Sequence, residues 1–526
     1  MKKNIFNLLL ILCVVFAFSC QNTPEPKREK TDLSNTDFIY LKDKHFELRN
    51  EKFFPIMLNY CVSFRNIDNS FVVSPYINYE EHGEFEYDTK EGTAEQLRGH
   101  FQLIKEMGFN TIRVTFDRVN EYNRKYYYSD FSIDNDYEKI LAGFEYFINI
   151  ATEKDLRIMF LLKAPLNKSL KDFTVKVLER FNTNPTIFAY DFFNEPLYFD
   201  PKPKRSKESA RNIQLGWRAM MDEYAPNQLF TIGFAEPIEV LTWDPEISPV
   251  DFVCIHTYHP LRAKNELYWY SKYINKPLMM GEASLPSDGD SIPYAHQANF
   301  AKEISEYAID CGIAGFGWWD FQEDLAQVNC SFEAAYAGLL NHEGTTTTLC
   351  GNYTIIGTMK PAVEEIKKIP EYQSRNKKER PVNYYNNLGY NNFVITGKII
   401  DQKTKKPIEG AVVRGWTRWW NIAWNTYTDE NGNFTLYSND KFVRFSISAP
   451  GFSKLFFNKK LDYRKITDGA FDINDLPNKD LEYHSISYKP FLKADTHSVF
   501  DFEPTMFNQA KFEGNMGTLQ LKRLEY

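Results

Sequence analysis

The chain has 526 residues, too many for one ordinary core, so two domains or one large domain with an appendage are expected. A hydrophobic share of 43% against 25% charged fits a soluble globular protein, and a net charge of -8 without a long basic run argues against nucleic acid and for neutral substrates. Aromatic residues reach 16%, with 32 Tyr, 43 Phe and 9 Trp; their flat faces suit packing or sugar rings, and composition does not choose between the two.

The chain starts "MKKNIFNLLLILCVVFAFSC". Lys2 and Lys3 precede an apolar stretch from Ile5 to Phe18, short for a membrane span and the right length for a secretory core. It ends in Ala17-Phe18-Ser19-Cys20, which resembles the cleavage box of bacterial lipoproteins. That resemblance implies a signal peptide over residues 1-19, lipidation of Cys20, and a polar tether over 20-37 that holds the protein to the outer membrane on its periplasmic or surface face. The alternative is an ordinary cleaved signal with an incidental cysteine. Of the later cysteines, Cys61 and Cys254 sit in apolar runs as small hydrophobes, whereas Cys330 and Cys350 flank a loop and could bridge. With no CxxC, HExxH or His-rich tract, neither a catalytic metal nor a cofactor is expected.

From about Phe38 to Tyr372, eight apolar runs of strand length alternate with amphipathic stretches. In order the runs are "FPIMLNYCVSF", "FNTIRVTF", "LRIMFLLKAP", "IFAYDFFNEP", "NQLFTIGFAE", "VDFVCIHTYHP", "KPLMMGEASLP" and "IAGFGWWDFQ". Helix-like segments between them include "TAEQLRGHFQLIKEMG" and "YAHQANFAKEISEYAIDCG", each closed by a glycine at its C-terminus. Eight strand-helix repeats over residues 38-372 predict a (β/α)8 TIM barrel with long loops; a doubly wound sheet lacks its Gly-rich phosphate turn here.

In such a barrel the active site lies at the C-terminal strand ends, so a polar residue closing an apolar strand is a functional candidate. Glu195 closes the fourth run and Glu282 the seventh, across the barrel mouth from one another. Two carboxyl groups on one cleft suit glycoside hydrolysis, one to protonate the leaving oxygen and one to attack or to activate water.

The sequence Asn194-Glu195-Pro196 after strand four, Glu282 at strand seven and a tryptophan at strand eight resemble the clan A glycoside hydrolases, most closely family 5, the cellulase and mannanase family. The resemblance implies Glu195 as general acid/base and Glu282 as nucleophile of a retaining enzyme. It implies that Arg113 steadies the nucleophile and that Asn194 binds the sugar 2-hydroxyl. His256 and Tyr258 match a His-x-Tyr pattern on strand six and share one strand face. Of Trp318 and Trp319, Trp319 is expected to form the floor under the sugar, with core packing the expectation for Trp318. The family commonly has a histidine near the end of strand three, where this chain has Lys163. The implied activity is cleavage of β-glycosidic bonds in a polysaccharide or oligosaccharide. A carbohydrate-binding lipoprotein without catalysis and a transglycosylase are the alternatives.

Residues 373-392, polar and aperiodic, predict a linker, and residues 393-526 a small all-β module. "TGKIIDQKTKKPIEGAVV" and "TYTDENGNFTL" resemble the carboxypeptidase regulatory-like β-sandwich, with Asp429-Glu430-Asn431-Gly432 as a tight hairpin signal. Trp416, Trp419, Trp420 and Trp424 allow a sugar-stacking platform or a surface that docks the module on the barrel. Docking is favoured, because adjacent strand residues point to opposite faces.

Overall fold

The computed structural model describes residues 32–79, 89–115, 131–202, 205–258, 260–328, 331–375, 393–417, 423–438, 442–457 and 512–525. Cys20, Cys330, Trp419, Trp420, the segment expected to be a signal peptide and most of the expected linker lie outside these residues. Among the described residues, no helix is long and apolar enough to cross a membrane.

Eight parallel strands close into a barrel in chain order: β1 (Ile56–Asn59), β2 (Thr111–Thr115), β3 (Arg157–Leu161), β4 (Ile187–Asn194), β5 (Leu229–Phe234), β6 (Val253–His256), β7 (Leu278–Glu282) and β8 (Phe316–Trp318). Strands buried on both faces need near-continuous apolar sequence, and β4, β5 and β7 are buried over almost their whole length. The first six helices among the described residues are α1 (Lys90–Glu106), α2 (Tyr137–Glu153), α3 (Lys168–Phe181), α4 (Pro196–Phe199), α5 (Lys207–Tyr224) and α6 (Pro260–Tyr273). Of these, α1 and α2 pack outside the strands through faces that include Leu97, Phe101, Ile104, Phe144 and Phe147. Gly108, just past α1, has φ 93°, a left-handed conformation that glycine adopts without a Cβ penalty. At the opposite mouth a small sheet (Tyr40–Lys42, His45–Leu48, Glu51–Phe53) inserts Phe46 against Phe188 and Phe252, ring centroids 6.0 and 5.1 Å away.

The first apolar run does not continue as one strand. Strand β1 ends at Asn59, and a separate hairpin, Val62–Ile67 paired with Ser70–Pro75, begins the excursion that follows it. Asp68 and Asn69 turn this hairpin with φ 51° and 61°, the paired left-handed conformation of a two-residue turn that matches strand twist.

The module carries two sheets. One has β9 (Phe393–Asp401) between β12 (Asn433–Ser438) and β15 (Phe512–Leu521); the other runs β11 (Ala423–Tyr427), β10 (Val412–Thr417), β13 (Phe442–Ser448), β14 (Leu455–Phe457). The turn at Asp429–Gly432 therefore joins strands of different sheets rather than forming a hairpin. Its tight geometry, with Gly432 at φ 74°, is local, whereas the strand partners are chosen by the sandwich core of Ile395, Leu436, Phe445 and Ile447. Trp424 belongs to that core, while Trp416 joins Val412, Tyr427 and Phe456 in the apolar cluster continuous with the barrel. The indole of Trp269, on α6 (Pro260–Tyr273), packs 6.1 Å from the Tyr427 ring and donates to the Gly410 carbonyl at 2.9 Å.

Candidate active site

The strand register brings the candidates to one level of the barrel mouth. Asn59 pairs with Arg113 across β1 and β2, His256 with Glu282 across β6 and β7, and Asn194 with Gly233 across β4 and β5. Arg113 is 3% exposed and reaches four side chains of the barrel strands at once. Its Nη1 donates to Asn59 Oδ1 (3.0 Å) and Glu282 Oε1 (2.5 Å), and its Nη2 to Asp191 Oδ2 (2.8 Å) and Asn194 Oδ1 (2.9 Å). Burial works against the guanidinium charge, but Asp191 and Glu282 outweigh it and keep Arg113 charged.

Glu282 is 4% exposed. The Tyr258 hydroxyl donates to its Oε2, and Arg113 to its Oε1. Burial would push this carboxyl up, yet His256, Arg113 and the Tyr258 hydrogen bond prevail and hold it below the ordinary carboxylate range. The Tyr258 phenol moves the other way, raised by burial and by Glu282 beside it.

His256 Nδ1 lies 2.9 Å from Glu195 Oε1 and 3.4 Å from Glu282 Oε1, so the ring links the two carboxyl groups from below. The imidazole has room because Gly233 and Gly281 flank it; a Cβ at Gly233 would come within 2.7 Å of the ring. Glu195 has left-handed backbone angles, φ 44° and ψ 71°, costly for a residue with a side chain. Its N–H donates to Gly233 O at 2.8 Å, and the single turn α4 (Pro196–Phe199) follows immediately.

A cleft of about 780 Å³ opens above these groups, lined by Arg113, Asn194, Glu195, Tyr258, Glu282 and Trp319 among others. Two candidates do not line the cleft. Trp318 is fully buried, donates to Ala337 O at 3.2 Å and packs on Phe300, so it is a core residue rather than a sugar contact. His256 is 2% exposed and does not line the cleft; its Nδ1 meets the two carboxyl groups from beneath. The alternation of strand residues separates Trp318 from Trp319.

Three further residues of the site do not stand out in the sequence. Asn59 holds Arg113 and donates to Gly281 O and Trp318 O, both at 2.9 Å. Asp191 pairs with Arg113 from within β4; a lone carboxylate in an apolar parallel strand needs a buried partner, which is the signal that could have flagged it. Glu333, on the cleft wall, is pushed up to about 8 by burial and by Glu195, and nothing in its local sequence "SFEAAY" marks it. Lys163 lines the cleft just past β3.

Among the described residues, two groups have metal-ligand atoms within 4.8 Å of one another, Glu195–His256–Glu282 and Asp191–Cys254–His256. Both share His256, and Asp191 and Glu282 are already bound to the Arg113 guanidinium, which a cation would have to displace. Burial, and then Asp191, also raise the Cys254 thiol well above its usual value, away from the thiolate a metal requires.

No family model matches the chain, and no curated protein matches it. Among solved structures it is similar to the exo-β-1,4-mannosidase Op5Man5 from Opitutaceae bacterium strain TAV5 (14% identity, TM-score 0.46), over 66% of this chain and 63% of that one, less than two thirds of its length. It is also similar to the GH5_18 protein from Streptomyces cattleya solved in complex with GlcNAc (13%, TM-score 0.43, over 67% and 85% of the two chains). A third is the endo-β-1,4-mannanase from Thermotoga petrophila (12%, TM-score 0.38, over 78% and 98%).

Proposed function

We propose that the protein is a retaining glycoside hydrolase that cleaves β-glycosidic bonds in a polysaccharide or oligosaccharide. The observation that carries the proposal is the pair Glu195 and Glu282, whose oxygens approach within 4.8 Å in one cleft and share His256 Nδ1. Retaining enzymes hold their two carboxyl groups about 5–5.5 Å apart, whereas inverting ones need about 6.5–9.5 Å to admit a water.

In the first step a Glu282 oxygen attacks the anomeric carbon while Glu195 gives its proton to the departing glycosidic oxygen. Arg113 and Tyr258 support ionised Glu282 as the nucleophile. In the second step Glu195 takes a proton from water, which attacks the same carbon and releases Glu282. Asn194, fixed by Arg113 on the cleft wall, is the donor for the sugar 2-hydroxyl, and Trp319 is the stacking floor. The N-terminal segment adds a proposed lipid anchor at Cys20 in the outer membrane, removed by Cys20→Ala, which should shift the protein from the membrane to the soluble fraction.

The test is product release from β-glucans, β-mannans, xylans and short aryl glycosides, beside Glu282→Ala. Cleavage of one class by the wild type, lost by about 10⁴-fold or more in the variant, is the expected result. Glycan binding with equal inertness of both proteins would instead make this a binding lipoprotein.

A further inference from the structure

The single turn that carries Glu195 has little strength of its own, since four residues close hardly any helical hydrogen bonds. Two glutamates hold it from the segment after β5. Leu197 N–H donates to Glu239 Oε1 at 3.0 Å, and the Tyr198 hydroxyl donates to Glu236 Oε1 at 2.8 Å. Glu236 is itself held from its other oxygen: Oε2 receives Arg262 Nη1, from α6, at 3.2 Å and Arg414 Nη1 at 3.1 Å. Arg414 comes from the appended module. It lies on β10 between Val412 and Trp416, two positions from each, so all three share the strand face turned to the barrel. Only 3% exposed, it is aimed by a second bond from Nη1 to Asn425 Oδ1, 2.7 Å, on the neighbouring β11. Glu236 is 6% exposed, and although burial works against its charge, Arg262 and Arg414 keep it ionised, at about 2.

Resting on the glycosidase reading, we infer that Arg414 is a positioning residue for the acid/base Glu195, acting through Glu236 and Tyr198, so that the β module completes the barrel's catalytic apparatus rather than serving as a separate sugar-binding appendage. The line runs Arg414, Glu236, Tyr198, and then three residues back along one turn to Glu195. Around it the module is clamped to the same region: Lys207 Nζ bonds Asp244 Oδ2 (2.9 Å) and Ala449 O (3.2 Å), and Gly451 N–H donates to Asp244 Oδ2 (2.8 Å). A sub-ångström shift of an acid/base is enough to reduce proton transfer, whereas binding of the sugar and attack by Glu282 depend on groups that Arg414 does not reach.

The experiment compares kcat/KM of full-length wild type, Arg414→Met and Tyr198→Phe on two β-glycosides of the sugar that the wild type cleaves, one with 2,4-dinitrophenolate and one with phenolate as leaving group. Dinitrophenolate departs without a proton; phenolate needs one. A loss of about tenfold or more on the phenyl glycoside in both variants, with the dinitrophenyl glycoside within about twofold of wild type, is expected, because general acid catalysis is worth about 10²–10⁴-fold and only part of it is withdrawn. Tyr198→Phe removes one hydroxyl and carries the test if Arg414→Met does not fold. Equal losses on both glycosides, or no loss on either, overturn the inference while leaving the glycosidase reading intact. A wild type inert on every glycoside, with Glu195→Ala no different, overturns both.

Discussion

Two buried arginines, Arg113 in the barrel mouth and Arg414 at the junction with the module, are equally hidden at 3% exposure and are held in place by different means. The partners of Arg113 are Asn59, Asp191, Asn194 and Glu282, all on barrel strands whose register places them side by side. Arg414 draws on Asn425 of its own module and Glu236 of the barrel, so its geometry exists only when the two domains are docked. Backbone ladders thus fix the first network, and side-chain packing across a junction fixes the second. The first should be the stiffer and the costlier to break.

The largest effect is expected from Arg113→Met. It leaves Asp191, fully buried, and Glu282 without their cation, and breaking a buried pair from one side costs about 3–5 kcal/mol. Denaturant unfolding should show that loss together with loss of activity; a stability change under about 1 kcal/mol would mean that the barrel mouth tolerates its carboxylates unpaired.

Glu239 sharpens the comparison through pH. Burial pushes it up to about 8, against the backbone bonds from Leu197 and Ala235. Between the unfolded value near 4.5 and about 8 the folded state therefore holds a proton that the unfolded state has lost, so stability falls as pH rises through that window, by at most about 1.4 kcal/mol per unit. Glu239→Gln keeps an acceptor for Leu197 and has no proton to lose. Its stability should run flatter than wild type from pH 5 to 8, and parallel curves would show that Glu239 titrates normally. Glu236, held at about 2, has the opposite sign: its contribution is present above about 4.5 and is lost as pH falls towards 2.

The smallest effect belongs to Trp269→Phe, which deletes one donor to the Gly410 carbonyl at the junction and some packing on Tyr427. A net cost of about 1 kcal/mol is expected, read as a shift in unfolding midpoint. A cost above that of Arg113→Met would reverse the ranking of the two networks.

What was legible follows the same division. Glu195 and Glu282 stand out because each is an ionisable residue closing an apolar strand, and Tyr258 because it sits two residues beyond His256 with the same parity. Asp191, three residues before Asn194 in "YDFFNEP", does not close its strand and so lacks that signal; its role depends on a guanidinium arriving from β2. Asn59 was hidden in a run that reads as one long strand, where the chain in fact stops, gives up its side chain to Arg113 and restarts as a hairpin. The tryptophan-rich stretch also shows the limit, since Trp416 and Trp424 look alike in sequence and yet enter different cores.

By itself the sequence determined the eight-stranded barrel, the following β module and the two strand-end carboxyl groups, because strand periodicity, turn glycines and a charge at a strand end are local properties of the chain. The tertiary structure alone decided which groups Arg113 and Arg414 meet, which tryptophan faces the cleft, and that the turn at Gly432 crosses between sheets. Those outcomes depend on contacts between residues as far as 178 and 259 positions apart, whose complementarity no single window of sequence contains.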